Sequence, residues 1–398
     1  MKTFSKSFTQ QEPIPEEAIS RAVEVLRSGR LHRYNVLPDE AGETALLEQE
    51  FADYIGVPYC LACASGGYAL HIALRSIGLH LGDPVLCNAY TLSPVPGAIH
   101  NAGGRPVLVE TTEDYTVDIA DLRRAAAESG AHVFMLSHMR GHICDMDAVL
   151  DVCREYDLTL VEDCAHTMGA KWRGRASGTF GAVACYSTQT YKHLNSGEGG
   201  LLTTSDADII RRAIIHSGSY MLYGHHLAAP PAESFAQMRL EVPNYSGRMD
   251  NLRAAILRPQ LRALDDSCRR WNQLYRTLEQ GLRAIPGVRL RERPDHEEFV
   301  GSSIQFSLPE VDPGRLPAFI DACEKRGVPV KWFGAPEPSG YTSRFDSWRY
   351  IEEQPALPKT RAVLSTLCDV RVPLTFNESD CRLITEIVAE SLQVIGSQ

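Results

Sequence analysis

No apolar run in the 398-residue sequence approaches the ~20 residues that a helix needs to cross a bilayer, so a helical membrane protein is excluded. Basic charge is not in excess: 40 Lys and Arg stand against 50 Asp and Glu, a formal net charge of −10. No concentrated basic stretch and no helix-turn-helix extension offsets that balance, and nucleic acid is not expected as a partner. The opening segment, Met1 to Glu17, is polar with two prolines and no apolar centre. It does not read as a secretory signal, and a cytoplasmic location is expected. Internal repeats and low-complexity tracts are also missing. Metal-ligand spacing is scarce, because Cys60-Leu61-Ala62-Cys63 is the one Cys-x-x-Cys pair in the sequence. The 11 cysteines are odd in number and scattered from Cys60 to Cys381, several inside apolar runs such as those holding Cys87 and Cys185. They read as reduced, buried thiols rather than disulfides. His138 and His142 are separated by Gly141 in what reads as a loop after a strand, so no metal is expected there.

What remains is the composition of an ordinary globular protein, 44% hydrophobic and 23% charged. The length exceeds what one core comfortably fills, which predicts two lobes. Residues 1–40 read as an N-terminal arm with a helix from Pro15 to Leu26 and a polar loop from Ser28 to Tyr34. A helix follows from Glu43 to Ile55, with Leu46, Leu47, Phe51 and Tyr54 at helical spacing. Beyond residue 60, short apolar runs alternate with helical stretches. The predicted strands are Pro84–Cys87, Arg105–Val109, Val133–Ser137, Leu158–Glu162, Ala182–Ser187 and Leu201–Thr204. The intervening helices include Asp118–Ser129, Asp145–Tyr156 and Asp206–Ser217. This alternation predicts an α/β fold, a mainly parallel sheet covered on both faces. A long helix is expected from Asp250 to Arg283, with the domain boundary inside it near residue 265. Strands at Val288–Arg291, Ser303–Leu308 and Val328–Lys331, with helices at Arg315–Arg326 and Glu378–Ile395, predict a smaller C-terminal α+β domain. The domains are then 41–265 and 266–398.

Three stretches carry chemistry. In Thr159-Leu160-Val161-Glu162-Asp163, an apolar strand ends in two acids, which strand alternation sends to opposite faces. In Ser187-Thr188-Gln189-Thr190-Tyr191-Lys192, a strand delivers a hydroxyl and then a lysine, before the turn Gly197-Glu198-Gly199-Gly200. A lysine desolvated in such a turn can act as an amine nucleophile. Ser65-Gly66-Gly67 places small residues at the N-terminus of an amphipathic helix, where open backbone N–H groups bind anions. Singly, each has a plainer reading as a helix cap, a solvated turn lysine or a loop. Together and in this order they describe a site for pyridoxal phosphate. Lysine forms the Schiff base, aspartate pairs with the pyridinium nitrogen, and the cradle takes the phosphate.

The same residues resemble the fold-type-I pyridoxal-phosphate enzymes of the DegT sugar aminotransferase family. The shared stretches are Ser65-Gly66 with Ala69-Leu70, Gly141 with Asp145-Met146-Asp147, Glu162-Asp163-Cys164-Ala165-His166 with Gly169, Ser187 with Lys192 and Gly197-Glu198-Gly199-Gly200, and Arg248-Met249 with Arg253-Ala254-Ala255 and Gln260-Leu261. The resemblance implies a large domain built as an α/β/α sandwich and a smaller C-terminal domain. It implies Lys192 as Schiff-base lysine and general acid–base, Asp163 on the ring nitrogen, and His166 beside the ring's phenolic oxygen. Ser65, Gly66, Gly67 and Ser187 would hold phosphate, and Tyr90 or Leu92 would stack on the ring. Asn244 or Ser246 would reach the phosphate of a partner subunit in a homodimer. Three positions depart from the family pattern: Gly67 replaces a usual Thr, Ser246 a usual Asn, and Arg140 a usual Tyr.

The implied reaction moves an amino group from glutamate or glutamine to a keto acceptor, a keto sugar, sugar nucleotide or cyclitol, through pyridoxamine phosphate. Arg33, Arg140 and Arg248 are candidates for holding substrate carboxylates, each competing with a structural ion pair. A lyase, cyclase or dehydratase on an amino-acid-like substrate is the rival within the same cofactor class. The family's dehydratases carry histidine in place of the lysine, so Lys192 argues against that version. A cofactor-binding regulator without turnover is the rival from another class.

Overall fold

A computed structural model describes residues 2–352 and 355–396. Thirteen strands occur among them: β1 Tyr59–Cys63, β2 Pro84–Asn88, β3 Arg105–Val109, β4 Val133–Ser137, β5 Thr159–Asp163, β6 Lys171–Trp172, β7 Arg175–Ala176, β8 Val183–Ser187, β9 Gly200–Thr204, β10 Glu297–Glu298, β11 Ser303–Ser307, β12 Lys331–Trp332 and β13 Leu367–Arg371. Seven form one sheet in the order β1-β9-β8-β5-β4-β2-β3. All neighbours from β8 to β3 pair in parallel, and β9 runs antiparallel between β1 and β8. The strand centres are apolar and buried on both faces, as a helix-covered parallel sheet requires. Two hydrophobic clusters fill the spaces between sheet and helices.

The six strands predicted for this sheet all form. The strand β1 was not among them, because Tyr-Cys-Leu-Ala-Cys has no β-branched residue to announce it. Helix starts follow local chemistry. Asp118, Asp145 and Asp206 each accept two backbone N–H bonds from the first turn of the helix that follows. The helix expected from Asp250 to Arg283 is two helices, Asn251–Arg262 and Leu264–Arg283, divided at Ala263.

The C-terminal part builds a three-stranded antiparallel sheet, β11-β13-β12, with its own core around Phe306, Phe319 and Ile387. No strand forms at 288–291. Arg289 makes a single bridge to Ser307, and the next arginines, Arg291 and Arg293, turn in to pair with buried Glu297. The strand expected from Val328 begins only at Lys331, since Pro329 has no N–H for a ladder. The segment read as an N-terminal arm is docked. Phe4 and Phe8 are buried edge-on against Phe376 in the C-terminal core. No helix among the described residues is long and apolar enough to cross a membrane.

Candidate active site

The C-terminal ends of the parallel strands converge on one edge of the large sheet, where ligands of such folds bind. A cavity of about 320 Å³ opens there, lined by Ser65, Gly66, Leu92, Asp163, His166, Ser187 and Lys192 among others. Strand β5 ends at Asp163, and alternation places Glu162 on the opposite face. Buried Glu162 accepts the backbone N–H groups of Gly178, Phe180 and Gly181 and lies 3.2 Å from His138. It thereby pins the loop that leads into β8. His138, Glu162 and Cys164 stand close enough to suggest a metal centre, but the carboxylate oxygens are taken up by these amides. Asp163 faces the cavity, its Oδ2 accepting Ser137 Oγ–H at 2.8 Å and its Oδ1 accepting the Ala165 N–H at 3.1 Å. These two bonds fix the carboxylate's direction.

Lys192 sits in the irregular connection between β8 and β9. That connection closes on itself through Thr188 N–H to Gly199 O and Lys192 N–H to Gln189 O. Gln260, on the helix Asn251–Arg262, braces it from behind by bonding both the N–H and the carbonyl of Asn195. The amine of Lys192 lies 3.0 Å from His166 Nε2. Burial, with Arg140 and Arg371 nearby, lowers its pKa to about 7 against the pull of Asp163. His166 is itself held well below the ordinary histidine range by burial and by Lys192 and Arg140, so the imidazole is neutral near pH 7.

The helix Gly66–Ser76 starts against the end of β8. Ser65 caps it, its Oγ accepting the Tyr68 N–H. The amides of Gly66 and Gly67 open the helix and have no acceptor within it. Glycine at 66 is a steric requirement, because a Cβ there would stand 2.8 Å from the Cβ of Ser187. Thr91 also lines the cavity, and its buried hydroxyl has no hydrogen-bond partner.

Not every predicted residue arrives. Leu92 lines the cavity, but Tyr90 does not. The Asn88 amide binds the Tyr90 carbonyl and turns the ring into the core, where it meets Phe333 edge-on at 5.1 Å. Arg33 is also removed from the cavity, because both of its terminal nitrogens bind buried Glu48 at 2.8 Å. Arg248 bridges to Cys63 and donates to the Gly218 carbonyl, away from its own chain's cavity. Asn244 and Ser246 are exposed and line no part of it. Arg140 does reach the cavity, as do Ser137, Gln189, Tyr191, Tyr341 and Arg371, which the sequence did not single out.

The family match extends over residues 13–378, nearly the whole chain. The chain belongs to the DegT/DnrJ/EryC1/StrS aminotransferase family. Within that family it is 34% identical over 255 residues to a putative L-glutamine:3-amino-2,3-dideoxy-scyllo-inosose aminotransferase of Micromonospora echinospora, covering 62% of this chain and 58% of that protein. It is 34% identical over 220 residues to a GDP-perosamine synthase of Caulobacter vibrioides, covering 55% and 56%. The chain thus spans little more than half the length of these two relatives. Among solved structures, S. venezuelae DesV in complex with a ketimine intermediate matches with a TM-score of 0.79 at 26% identity, over 94% of both chains. The architecture is that of the family's fold-type-I transferases.

Proposed function

We propose that this family member is a pyridoxal-phosphate-dependent aminotransferase that moves nitrogen from glutamate or glutamine to a keto sugar, sugar nucleotide or cyclitol. The observation that carries the reading is a lysine amine with a pKa near 7, in one cavity with a fixed carboxylate and an anion cradle. The residues fit the cofactor: a Cβ on Gly66 would fill the cradle, and the buried Thr91 hydroxyl lacks an acceptor or donor. When bound, pyridoxal phosphate supplies an aldehyde carbon for amines and a ring that withdraws electrons from the adjacent carbon.

The chain's own groups would act as follows. Ser65, Gly66, Gly67 and Ser187 hold the phosphate, with backbone N–H groups aimed at it. Asp163 would meet the ring nitrogen and favour its protonated form, its carboxylate already oriented by Ser137 and Ala165. Lys192 would hold the cofactor through Nζ, and the same atom would serve as the proton carrier. His166, neutral and 3.0 Å away, holds Nζ in position. Leu70, Leu92, Val95 and Met139 supply apolar wall that limits water. The names of the relatives support a cyclitol or nucleotide-sugar ketone as acceptor.

A homodimer is part of this reading. Tyr220, Met221, Leu227, Leu240 and Tyr245 are large apolar side chains left exposed in the segment that also bears Asn244 and Ser246. Pairing two copies through that segment would cover them and bring Asn244 or Ser246 of one subunit toward the other's phosphate.

Single-turnover mixing of the holoenzyme with L-glutamate or L-glutamine tests the reading. The aldehyde absorbance should disappear, the amine form of the cofactor should be recoverable, and a keto cyclitol or keto sugar should restore the aldehyde. A lyase would release product without leaving the amine form. A non-catalytic binder would show no change.

A further inference from the structure

The cavity holds more positive charge than the chemistry above uses. Arg140 follows β4 in a left-handed backbone conformation, with φ of 55°, that non-glycine residues adopt at a cost. It is 93% buried by the complement of its 7% exposure and lines the cavity. Its Nη2 lies 3.0 Å from Asp369 Oδ2. The contact is not aligned as a hydrogen bond, however, and both Nε and Nη2 lack an acceptor. Arg371, at the end of β13, enters from the C-terminal sheet and lines the same cavity. Its guanidinium lies 3.9 Å from the centre of the Tyr191 ring, so one face is covered, and its buried Nη1 has no acceptor.

Asp369 touches Arg140 and acts on Arg371 only through its charge, and it is also engaged by Gln305 at 2.6 Å. Uncompensated N–H groups in a buried guanidinium are costly unless something arrives to accept them. The planar N–H fork suits a carboxylate. Lys331 reports the same surplus, for burial and the two arginines hold its amine below the ordinary lysine range although Asp369 is near.

We propose that Arg140 and Arg371 form a clamp for a carboxylate of the reacting small molecule, positioned by Asp369. The inference rests on the aminotransferase reading for what that molecule is. Position favours carboxylate over diphosphate. Both guanidiniums line the same cavity as the Lys192 amine, so the anion they bind lies in the chamber where the reaction takes place. A nucleotide diphosphate, separated from a reacting ring carbon by a sugar, would call for cations farther out. The carboxylate belongs either to the amino donor or to the keto acceptor.

Calorimetric titration of the holoenzyme with glutarate, which cannot transaminate, tests the clamp without turnover, with glutaramide and UDP as controls. Glutarate should bind at least tenfold more tightly than glutaramide. Arg371→Gln and Arg140→Tyr should each lose at least tenfold in glutarate affinity, and Arg371→Lys should recover part of it. If Arg371→Gln does not fold, Arg140→Tyr and Arg371→Lys carry the comparison. Equal binding of glutarate and its amide, or unchanged glutarate affinity in the folded variants, overturns the clamp even when amino transfer is intact. So does a loss of UDP binding without a loss of glutarate binding.

The half-reactions then assign the source. Impaired conversion by L-glutamate with little change for its α-amide, L-isoglutamine, places the carboxylate on the donor. Impaired return by a carboxylate-bearing keto sugar in Arg140→Tyr, with an inosose unaffected and conversion by L-glutamate normal, places it on the acceptor. Glutarate binding without any conversion by wild type would retain the clamp and remove the aminotransferase reading.

Discussion

Two buried arginine–carboxylate pairs in this protein look alike in sequence and differ in kind. Arg33 binds both oxygens of Glu48 at 2.8 Å, and His226 adds a third contact to the pair. Glu48 also accepts the Ala62 N–H at 2.8 Å, tying the helix Glu43–Ile55 to β1. Burial alone would raise the Glu48 carboxyl, but Arg33 and His226 bring it down to about 2. Arg140 meets Asp369 through one misaligned contact, in a strained backbone, beside a cavity. The first pair is closed by two aligned hydrogen bonds, with only Arg33 Nε left without an acceptor, and serves the fold. The second leaves donors over, and it stands where a substrate can reach them. Burial alone does not distinguish them; the tally of acceptors does.

The largest effect that can sharpen this contrast is at Lys192. Lys192→Ala should lower steady-state amino transfer by roughly 10³-fold or more, since it removes both covalent anchor and proton carrier. The urea midpoint should stay near wild type, because no ion pair of the fold depends on this amine. A large loss of stability would show that the cavity side is also structural.

Glu48→Ala should do the reverse. Removing one partner of a satisfied buried pair costs about 3–5 kcal/mol, readable by urea denaturation, with single-turnover rates of the surviving folded protein little changed. The acid response has a definite sign. A carboxyl held at about 2 against an ordinary value near 4.5 stabilises the fold fully above pH 4.5, and that contribution is lost as pH falls through 2. Glu48→Gln should lack this component of acid unfolding. If wild type and variant lose stability in parallel below pH 4.5, the pair is not the fold element described.

A smaller effect concerns reactivity. In the cofactor-free protein, trapping of an aldehyde probe at Lys192 by borohydride should rise with a midpoint near pH 7. Exposed lysines should rise near ~10.4. A Lys192 midpoint at the ordinary value would mean that neither burial nor the neighbouring arginines hold it down. The smallest effect is at Tyr90, whose buried hydroxyl has no partner. Tyr90→Phe should leave amino transfer unchanged and shift stability by no more than about 1 kcal/mol, in the stabilising direction. A drop in cofactor affinity would return this ring to the site.

Much of the site was legible because its signals are local. Alternation along β5 separated Glu162 from Asp163, and three residues later His166 came to the same cavity. The small residues at 65–67 announced a helix start, and the glycines after Lys192 announced a tight return to β9. The arginines were not legible in this way. Arg33, Arg140 and Arg248 all lie in loops near motif residues, and nothing in their neighbours reveals which acceptor each one meets. Glu48 is a helix residue 15 positions from Arg33, and Asp369 lies in another sheet altogether. Tyr90 and Leu92 share a parity along the chain, and only the Asn88 side chain, by gripping the Tyr90 carbonyl, decides which one faces the cavity.

The sequence by itself determined the alternation of strands and helices, the strand-end acid, the loop lysine and the glycine-lined helix start, because each depends on residues a few positions apart. Tertiary structure alone decided that Arg371, some 180 residues beyond Lys192 in the chain, stands at the same cavity, and that Arg33 does not. Which charges meet is set by how separate sheets pack, and a periodicity of two or 3.6 residues carries no information about that.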